Sequence, residues 1–257
     1  MIKHIELVNQ WGKTLRGYLD LPENFNGEMF VMFHGFTGNK SEHAYHFRNI
    51  SRLMSKEGYA SIRLDFSGNG ESDGEFKDFT FDTMISEAKQ IIDFAFNYPK
   101  VEKVSLLGFS MGGGVSAIMA QEYGNKLSKL VLWSPSGNII QLIKNRFENG
   151  VELENGNKLT GGYFELSKEM YESVCSGKYY PMENLDKYTN PVLLVHGRND
   201  QAVPYLISMR YALKFYNSTV HIVNGAGHGY DKIAERDELY NRTMKFLNYH
   251  KLSEKSK

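Results

Sequence analysis

The stretch Val104-Ser105-Leu106-Leu107-Gly108-Phe109-Ser110-Met111-Gly112-Gly113-Gly114 organises the whole chain. Residues 104–107 form an apolar run of strand length, and residues 113–123 continue as a helical pattern rich in small side chains. Between them, Gly108-Phe109-Ser110-Met111-Gly112 fits the G-x-S-x-G pattern in a strand-turn-helix setting. There a sharp turn holds a serine hydroxyl clear of a sheet, and glycines two residues to either side avoid side-chain clashes. Ser110 is the candidate nucleophile, a plain tight turn being the alternative. The uncharged span 104–121 approaches the length of a membrane helix, but its consecutive glycines and its three serines divide it into strand and helix.

Outward from this stretch, similar apolar runs recur at residues 29–33, 59–64, 130–133 and 192–195. Continuous apolar runs of that length belong to strands covered on both faces, as in a parallel sheet. A last strand is predicted at 219–223. Alternating residues at 2–8 and 14–21, followed by the turn Leu21-Pro22-Glu23-Asn24, predict an antiparallel edge. Helical patterns occupy 44–57, 81–96, 113–123, 206–216 and 235–249, with Thr80 as an N-cap ahead of Asp82. The class is α/β: a doubly wound, mostly parallel sheet with helices on both faces. Residues 135–188 break the rhythm. They carry glycine-rich turns, the aromatics Phe147, Tyr163, Phe164, Tyr171, Tyr179 and Tyr180, and no clear core strand, and they are too long for a simple connection. They are predicted to be a cap inserted into a core made of 1–134 and 189–257.

A serine hydroxyl needs a base to take its proton and an acid to orient that base. Gly197-Arg198-Asn199-Asp200-Gln201-Ala202-Val203-Pro204 closes one predicted strand, and Asn224-Gly225-Ala226-Gly227-His228-Gly229 closes the last. In α/β hydrolases the order is serine, acid, histidine, which makes Asp200 the candidate acid and His228 the candidate base. Asp231 is the nearest rival acid and is expected to start the terminal helix. His196 is expected to be structural, with the role of base as its alternative; His4, His221 and His250 are read as surface or packing residues. His34-Gly35-Phe36-Thr37-Gly38 ends the first buried strand, where an α/β hydrolase supplies the second N–H of its oxyanion hole. Phe36 N–H is paired with Met111 N–H on that basis; a plain β-turn is the alternative.

Other chemistries find little support. His43 and His46 lie three apart on an expected helix, but no third ligand is near them in sequence, and no metal is assigned. Gly38-Asn39-Lys40-Ser41 interrupts the Gly-Lys step of a phosphate loop, and Gly68-Asn69-Gly70-Glu71-Ser72-Asp73-Gly74 is too long for a dinucleotide fingerprint and carries acids that repel a pyrophosphate. Thirty basic residues balance thirty acidic ones, so no net field draws the chain to nucleic acid or to an anionic membrane surface. The single cysteine, Cys175, forms no intrachain bridge, and the first residues lack the apolar core of a secretory signal, so cytoplasmic residence is the default expectation.

Taken together, the elbow, His34-Gly35-Phe36-Thr37-Gly38, Asp65-Phe66-Ser67-Gly68-Asn69-Gly70-Glu71-Ser72 and Gly225-Ala226-Gly227-His228 resemble an α/β-hydrolase-fold serine hydrolase along nearly the whole chain. More narrowly, His34-Gly35-Phe36-Thr37-Gly38, Gly161-Gly162-Tyr163-Phe164 and the segment 196–204 resemble the small bacterial cinnamoyl and feruloyl esterases. The resemblance implies a Ser-His-Asp triad, a cap over the active site, a small-molecule ester of a hydroxycinnamate as substrate, and no cofactor. A homodimer is compatible with the sequence and not required by it. Family members hold the phenolic hydroxyl with acidic, amide or tyrosine groups of the cap, yet after Trp133-Ser134-Pro135 no acid appears before Glu148. Trp133, Asn138, Gln141, Tyr163 and Phe164 are the remaining candidates for substrate contact. The same machinery would serve a monoacylglycerol lipase, a thioesterase or an aminopeptidase-like hydrolase, and a binding protein on a retained fold is the non-enzymatic reading.

Overall fold

The computed structural model describes residues 1–255, with side chains as far as Leu252. In chain order the elements are β1 (Ile2–Val8), β2 (Thr14–Asp20), β3 (Glu28–Phe33), α1 (His46–Lys56), β4 (Ala60–Leu64), α2 (Phe81–Phe96), β5 (Lys103–Phe109), α3 (Met111–Tyr123) and β6 (Leu127–Trp133). The chain then leaves the main sheet for α4 (Ile139–Glu148), β7 (Val151–Glu152), β8 (Lys158–Thr160), β9 (Phe164–Leu166) and α5 (Lys168–Cys175). It returns through β10 (Val192–Gly197), α6 (Leu206–Ala212), β11 (Ser218–Val223) and α7 (Ile233–Lys255).

Eight strands form one sheet in the order β1-β2-β4-β3-β5-β6-β10-β11. The pairs β1–β2 and β2–β4 are antiparallel, and every pair from β4 to β11 is parallel. The six parallel strands therefore end on the same side, and that side gathers the loops after β3, β5, β10 and β11. This is an α/β-hydrolase fold: helices α1 and α7 cover one face, and α2, α3 and α6 the other. A separate apolar cluster lies on each face, because successive strand residues point to opposite sides: in β5, Leu106 joins one cluster and Leu107 the other. Helix α3 is buried nearly all round over its first ten residues, which suits its low content of large side chains.

Three local features depart from the sequence reading. The helix predicted at 44–57 is broken: His43–Tyr45 is a 3₁₀ turn with Ala44 and Tyr45 at positive φ, and α1 begins only at His46. Glu42 caps the start of that turn, its side chain accepting from the His43 N–H, and the left-handed Ala44 and Tyr45 separate it from α1. The helix expected to run to 216 stops at Ala212 and continues as single turns. Residues 135–188 hold a three-stranded antiparallel sheet, β7-β8-β9, hinged on Gly156 and on Gly161-Gly162, all three at positive φ. Strands of two or three partly exposed residues carry no apolar run, so only their turns are visible in sequence. The uncharged span 104–121 is β5 and the start of α3, and no helix among the described residues is long and apolar enough to cross a membrane.

Candidate active site

Ser110 occupies the turn between β5 and α3 with φ 54° and ψ −116°, a conformation an L-residue adopts only when its surroundings enforce it. Its N–H donates to the Trp133 carbonyl at 2.9 Å, and its own carbonyl accepts from Gly113, Gly114 and Ser136. The flanking glycines are needed because the crossing is tight. A Cβ on Gly108 would stand 2.3 Å from the Gly112 carbonyl oxygen, and one on Gly112 would stand 1.9 Å from that of Phe33.

The loops after β11 and β10 bring two more side chains to this turn. His228 Nε2 lies 3.0 Å from Ser110 Oγ, and His228 Nδ1 lies 2.6 Å from Asp200 Oδ2. A carboxylate oxygen only accepts, so Nδ1 carries the ring proton and Nε2 is left to accept from the serine hydroxyl. The Phe109 ring leans on the imidazole at 5.0 Å. Asp200 has no exposed side-chain surface, whereas a quarter of the His228 side chain is open to solvent. Burial works against the Asp200 charge, but hydrogen bonds from His196 and His228 and from the Val203 amide outweigh it and hold the carboxyl well below its ordinary range.

His196 is directed elsewhere. Its Nε2–H is shared between the Val203 carbonyl at 2.8 Å and Asp200 Oδ2 at 3.1 Å, and its Nδ1 accepts from the Ser208 hydroxyl. Both ring nitrogens are thus occupied away from Ser110. Asp231 lies before α7 rather than in it and meets His43 Nε2 at 2.7 Å.

The loop after β3 abuts the nucleophile: a Cβ on Gly35 would lie 3.3 Å from that of Ser110. Among the described residues, the N–H groups of Phe36 and of Met111, the first residue of α3, donate to no acceptor. Three buried side chains shape this region, and the sequence pattern marked no role for two of them. His34 donates from Nδ1 to the Gly35 carbonyl and accepts on Nε2 from the Phe66 N–H. Glu42 accepts from the Gly35 N–H at 2.8 Å, its carboxyl pushed up by burial. His46, read in sequence only beside His43 as a metal pair, donates from Nε2 to the Gly229 carbonyl at 2.8 Å and accepts on Nδ1 from the Tyr240 hydroxyl. It braces the loop that carries His228. Among the described residues no group of three metal-ligating side chains is assembled.

Burial pushes the His46 imidazole down to about 4. The unfolded chain then binds a proton that the folded chain refuses between the ordinary histidine range and about 4, so stability falls as the pH drops through that window. Denaturant unfolding at pH 7 and pH 5 is expected to show a loss of about 2 kcal/mol from this group. The His46→Gln variant is expected to show a correspondingly flatter difference between the two pH values.

Two clefts meet at Ser110. One, about 470 Å³, is bordered by the loop after β3, His43, His228 and Asp231. The other, about 250 Å³, runs under α4 and is walled by Phe36, Met111, Ile139, Ile143, Tyr163 and Phe164, among others. Tyr163 and Phe164 line this cleft. Three other candidates do not. Trp133 is fully buried on the opposite face of the sheet and donates from Nε1 to Thr243, because its parity in β6 points it toward α7. Asn138 precedes α4 with its side-chain oxygen buried and unpaired. Gln141 is exposed on the outer side of α4, bonded to Asn145. The residues of α4 that border the cleft were missed: Ile139, Leu142, Ile143 and the exposed Arg146, spaced for one side of a helix.

A family model described as serine aminopeptidase, S33, matches residues 27–154, and one described as TAP-like protein matches residues 167–254. The structure of Est1E from Butyrivibrio proteoclasticus with bound ferulic acid matches with a TM-score of 0.77 at 25% identity, covering 95% of this chain and 99% of that one. The chain belongs to the α/β-hydrolase family. This α/β hydrolase is also 23% identical to the 2-hydroxy-6-oxo-6-(2'-aminophenyl)hexa-2,4-dienoic acid hydrolase of Metapseudomonas resinovorans, over 94% of this chain and 90% of that protein. A mitochondrial palmitoyl-protein thioesterase of Homo sapiens is 26% identical over 68% of this chain and 58% of its own length. The hydrolase thus shares its architecture with enzymes that cut different bonds, and its substrate has to be argued from its own clefts.

Proposed function

We propose that this α/β hydrolase is a serine carboxylic-ester hydrolase that works through an acyl-enzyme on hydroxycinnamate or similar small aromatic or short-chain esters. The observation that carries the proposal is the unbroken run from Ser110 Oγ through His228 to Asp200, at 3.0 and 2.6 Å, beside two amides that donate to no acceptor among the described residues. In this reading His228 Nε2 takes the Ser110 proton as Oγ attacks the ester carbonyl, and the Phe36 and Met111 N–H groups receive the oxyanion. Asp200 holds the imidazole tautomer and stabilises the imidazolium. His228 then returns its proton to the leaving alcohol, and water, activated by the same imidazole, releases the acid. No step draws on a cofactor.

The aromatic walls of the 250 Å³ cleft, and the likeness to Est1E with ferulic acid bound, support a flat aromatic acyl group. Comparing kcat/KM for methyl ferulate, p-nitrophenyl butyrate, a long-chain monoacylglycerol and an aminoacyl anilide tests it, because that ratio measures transition-state discrimination. Methyl ferulate is expected to lead by more than tenfold; a smaller lead indicates a generic esterase, and a lead by the lipid or the anilide indicates a lipase or an aminopeptidase-like enzyme. A fluorophosphonate is expected to label Ser110, which a binding protein on the same fold would resist. Turnover is expected to fall on the acid side, since a protonated His228 can no longer accept the serine proton.

A further inference from the structure

We infer that Arg146 makes this enzyme select acyl groups that carry a carboxylate at the end remote from the scissile ester. The inference rests on the serine-hydrolase reading above and deepens it. Helix α4 turns Ile139, Leu142, Ile143 and Arg146 toward the cleft at intervals of three and four residues, the spacing of one helical face. The fourth place on that stripe, an exposed position in the last turn of α4, is filled by a guanidinium.

Three observations give that placement a meaning. Arg146 is the only permanently charged side chain in the wall of this cleft, and no carboxylate lines it. Among the described residues its guanidinium forms no ion pair and no hydrogen bond; its partner is the Phe36 ring, 5.2 Å from Cζ. An arginine stacked on an aromatic face keeps its donor edge free, and that edge matches the two oxygens of a carboxylate. Finally, apart from Asp200, which is buried behind His228, the acids near Ser110 lie on the other side. Glu42 and Asp231 border the 470 Å³ cleft, which holds no arginine, so an anionic acyl group finds its cationic partner under α4.

The geometry also sets a length. The Ser136 N–H is bonded to the Ser110 carbonyl, which fixes the start of the α4 segment at the nucleophile. From Ile139 to Arg146 the helix advances seven residues, about 10 Å along its axis. A flat acyl group lying along α4 in this cleft would present its far end to Arg146. An aromatic acid with a second carboxylate opposite its ester-bearing arm has this shape and charge.

The test is a competition between methyl cinnamate and the methyl ester of 4-carboxycinnamic acid, esterified at the propenoate only, in one preparation of the full-length enzyme. Because both esters compete for the same active molecules, the ratio of their kcat/KM values does not depend on how much of a variant folds. The wild type is expected to prefer the carboxylated ester by about tenfold or more, the scale of one charge-assisted hydrogen bond. Arg146→Met is expected to bring the ratio to about one or below, and Arg146→Lys to leave an intermediate preference, since a lysine keeps the charge and loses the fork. Raising the ionic strength is expected to shrink the wild-type ratio. A wild type without preference, or an Arg146→Met variant that keeps it, overturns the inference. If neither ester is cleaved and Ser110 resists the fluorophosphonate, the serine-hydrolase reading fails instead.

Discussion

Replacing Ser110 with alanine is expected to lower kcat for p-nitrophenyl butyrate by about 10⁶-fold, the scale seen when a serine hydrolase loses its nucleophile. The folded state is expected to survive the change. Alanine meets the same steric difficulty as serine at φ 54°, so the strain of the turn is neither relieved nor increased. The hydrogen bonds that hold the turn run through the backbone of residue 110, from its N–H to Trp133 and to its carbonyl from Gly113, Gly114 and Ser136, and all survive. What disappears is the hydroxyl 3.0 Å from His228 Nε2, at a site open enough for water to replace it. Circular dichroism and thermal unfolding should therefore match the wild type while turnover vanishes; unchanged turnover in that variant would refute the assignment of Ser110.

Gly112→Ala is expected to do the opposite, and to remove the fold itself. The new methyl group would sit 1.9 Å from the Phe33 carbonyl oxygen, 2.4 Å from its carbon and 2.7 Å from the His34 carbonyl oxygen. All three are backbone atoms of β3 and the loop that follows it, and no side-chain rotation relieves the overlap. Relief requires α3 to move off the central sheet, which would open the apolar cluster that Met111, Val115 and Met119 help to fill. The cost falls in the exceptional class above about 4–5 kcal/mol, comparable with the whole stability of a marginal domain. Insoluble expression, or a lost cooperative transition in urea, is the expected readout. Gly124→Ala separates backbone strain from steric overlap: its φ is positive, unlike that of Gly112, yet nothing lies within 4 Å of the added methyl, so it should cost only backbone strain.

These two neighbouring positions show how much of the molecule is legible in one dimension. The elbow is a local object, in which strand, turn and helix lie within about twenty residues and each leaves its own mark in hydrophobic period or glycine placement. The order of the later loops also points to Asp200 and His228, because strands of a parallel sheet end on one side and carry their polar residues there. The broken helix at 43–45 was not legible, since Ala44 and Tyr45 take a left-handed backbone that neither residue type marks in sequence. Nor was the buried role of His46, whose partners Gly229 and Tyr240 lie 183 and 194 residues away.

The cleft under α4 was the least visible part. Trp133 follows an apolar run and precedes Ser134-Pro135, which places it near the site in sequence, yet one residue of strand parity sends it to the far face. Arg146 is exposed, and only the orientation of α4 shows that it also borders this cleft.

The sequence by itself determined the strands of the main sheet, their alternation with helices and the chemistry available at each loop, because periodicity, turn residues and the glycine elbow act between near neighbours. Only the tertiary structure decided which side chains meet. Ser110 and His228 are 118 residues apart, and their separation of 3.0 Å results from strand order, register and loop closure acting together. No short window of sequence encodes any of these, since each is fixed by burying two faces of one sheet at once.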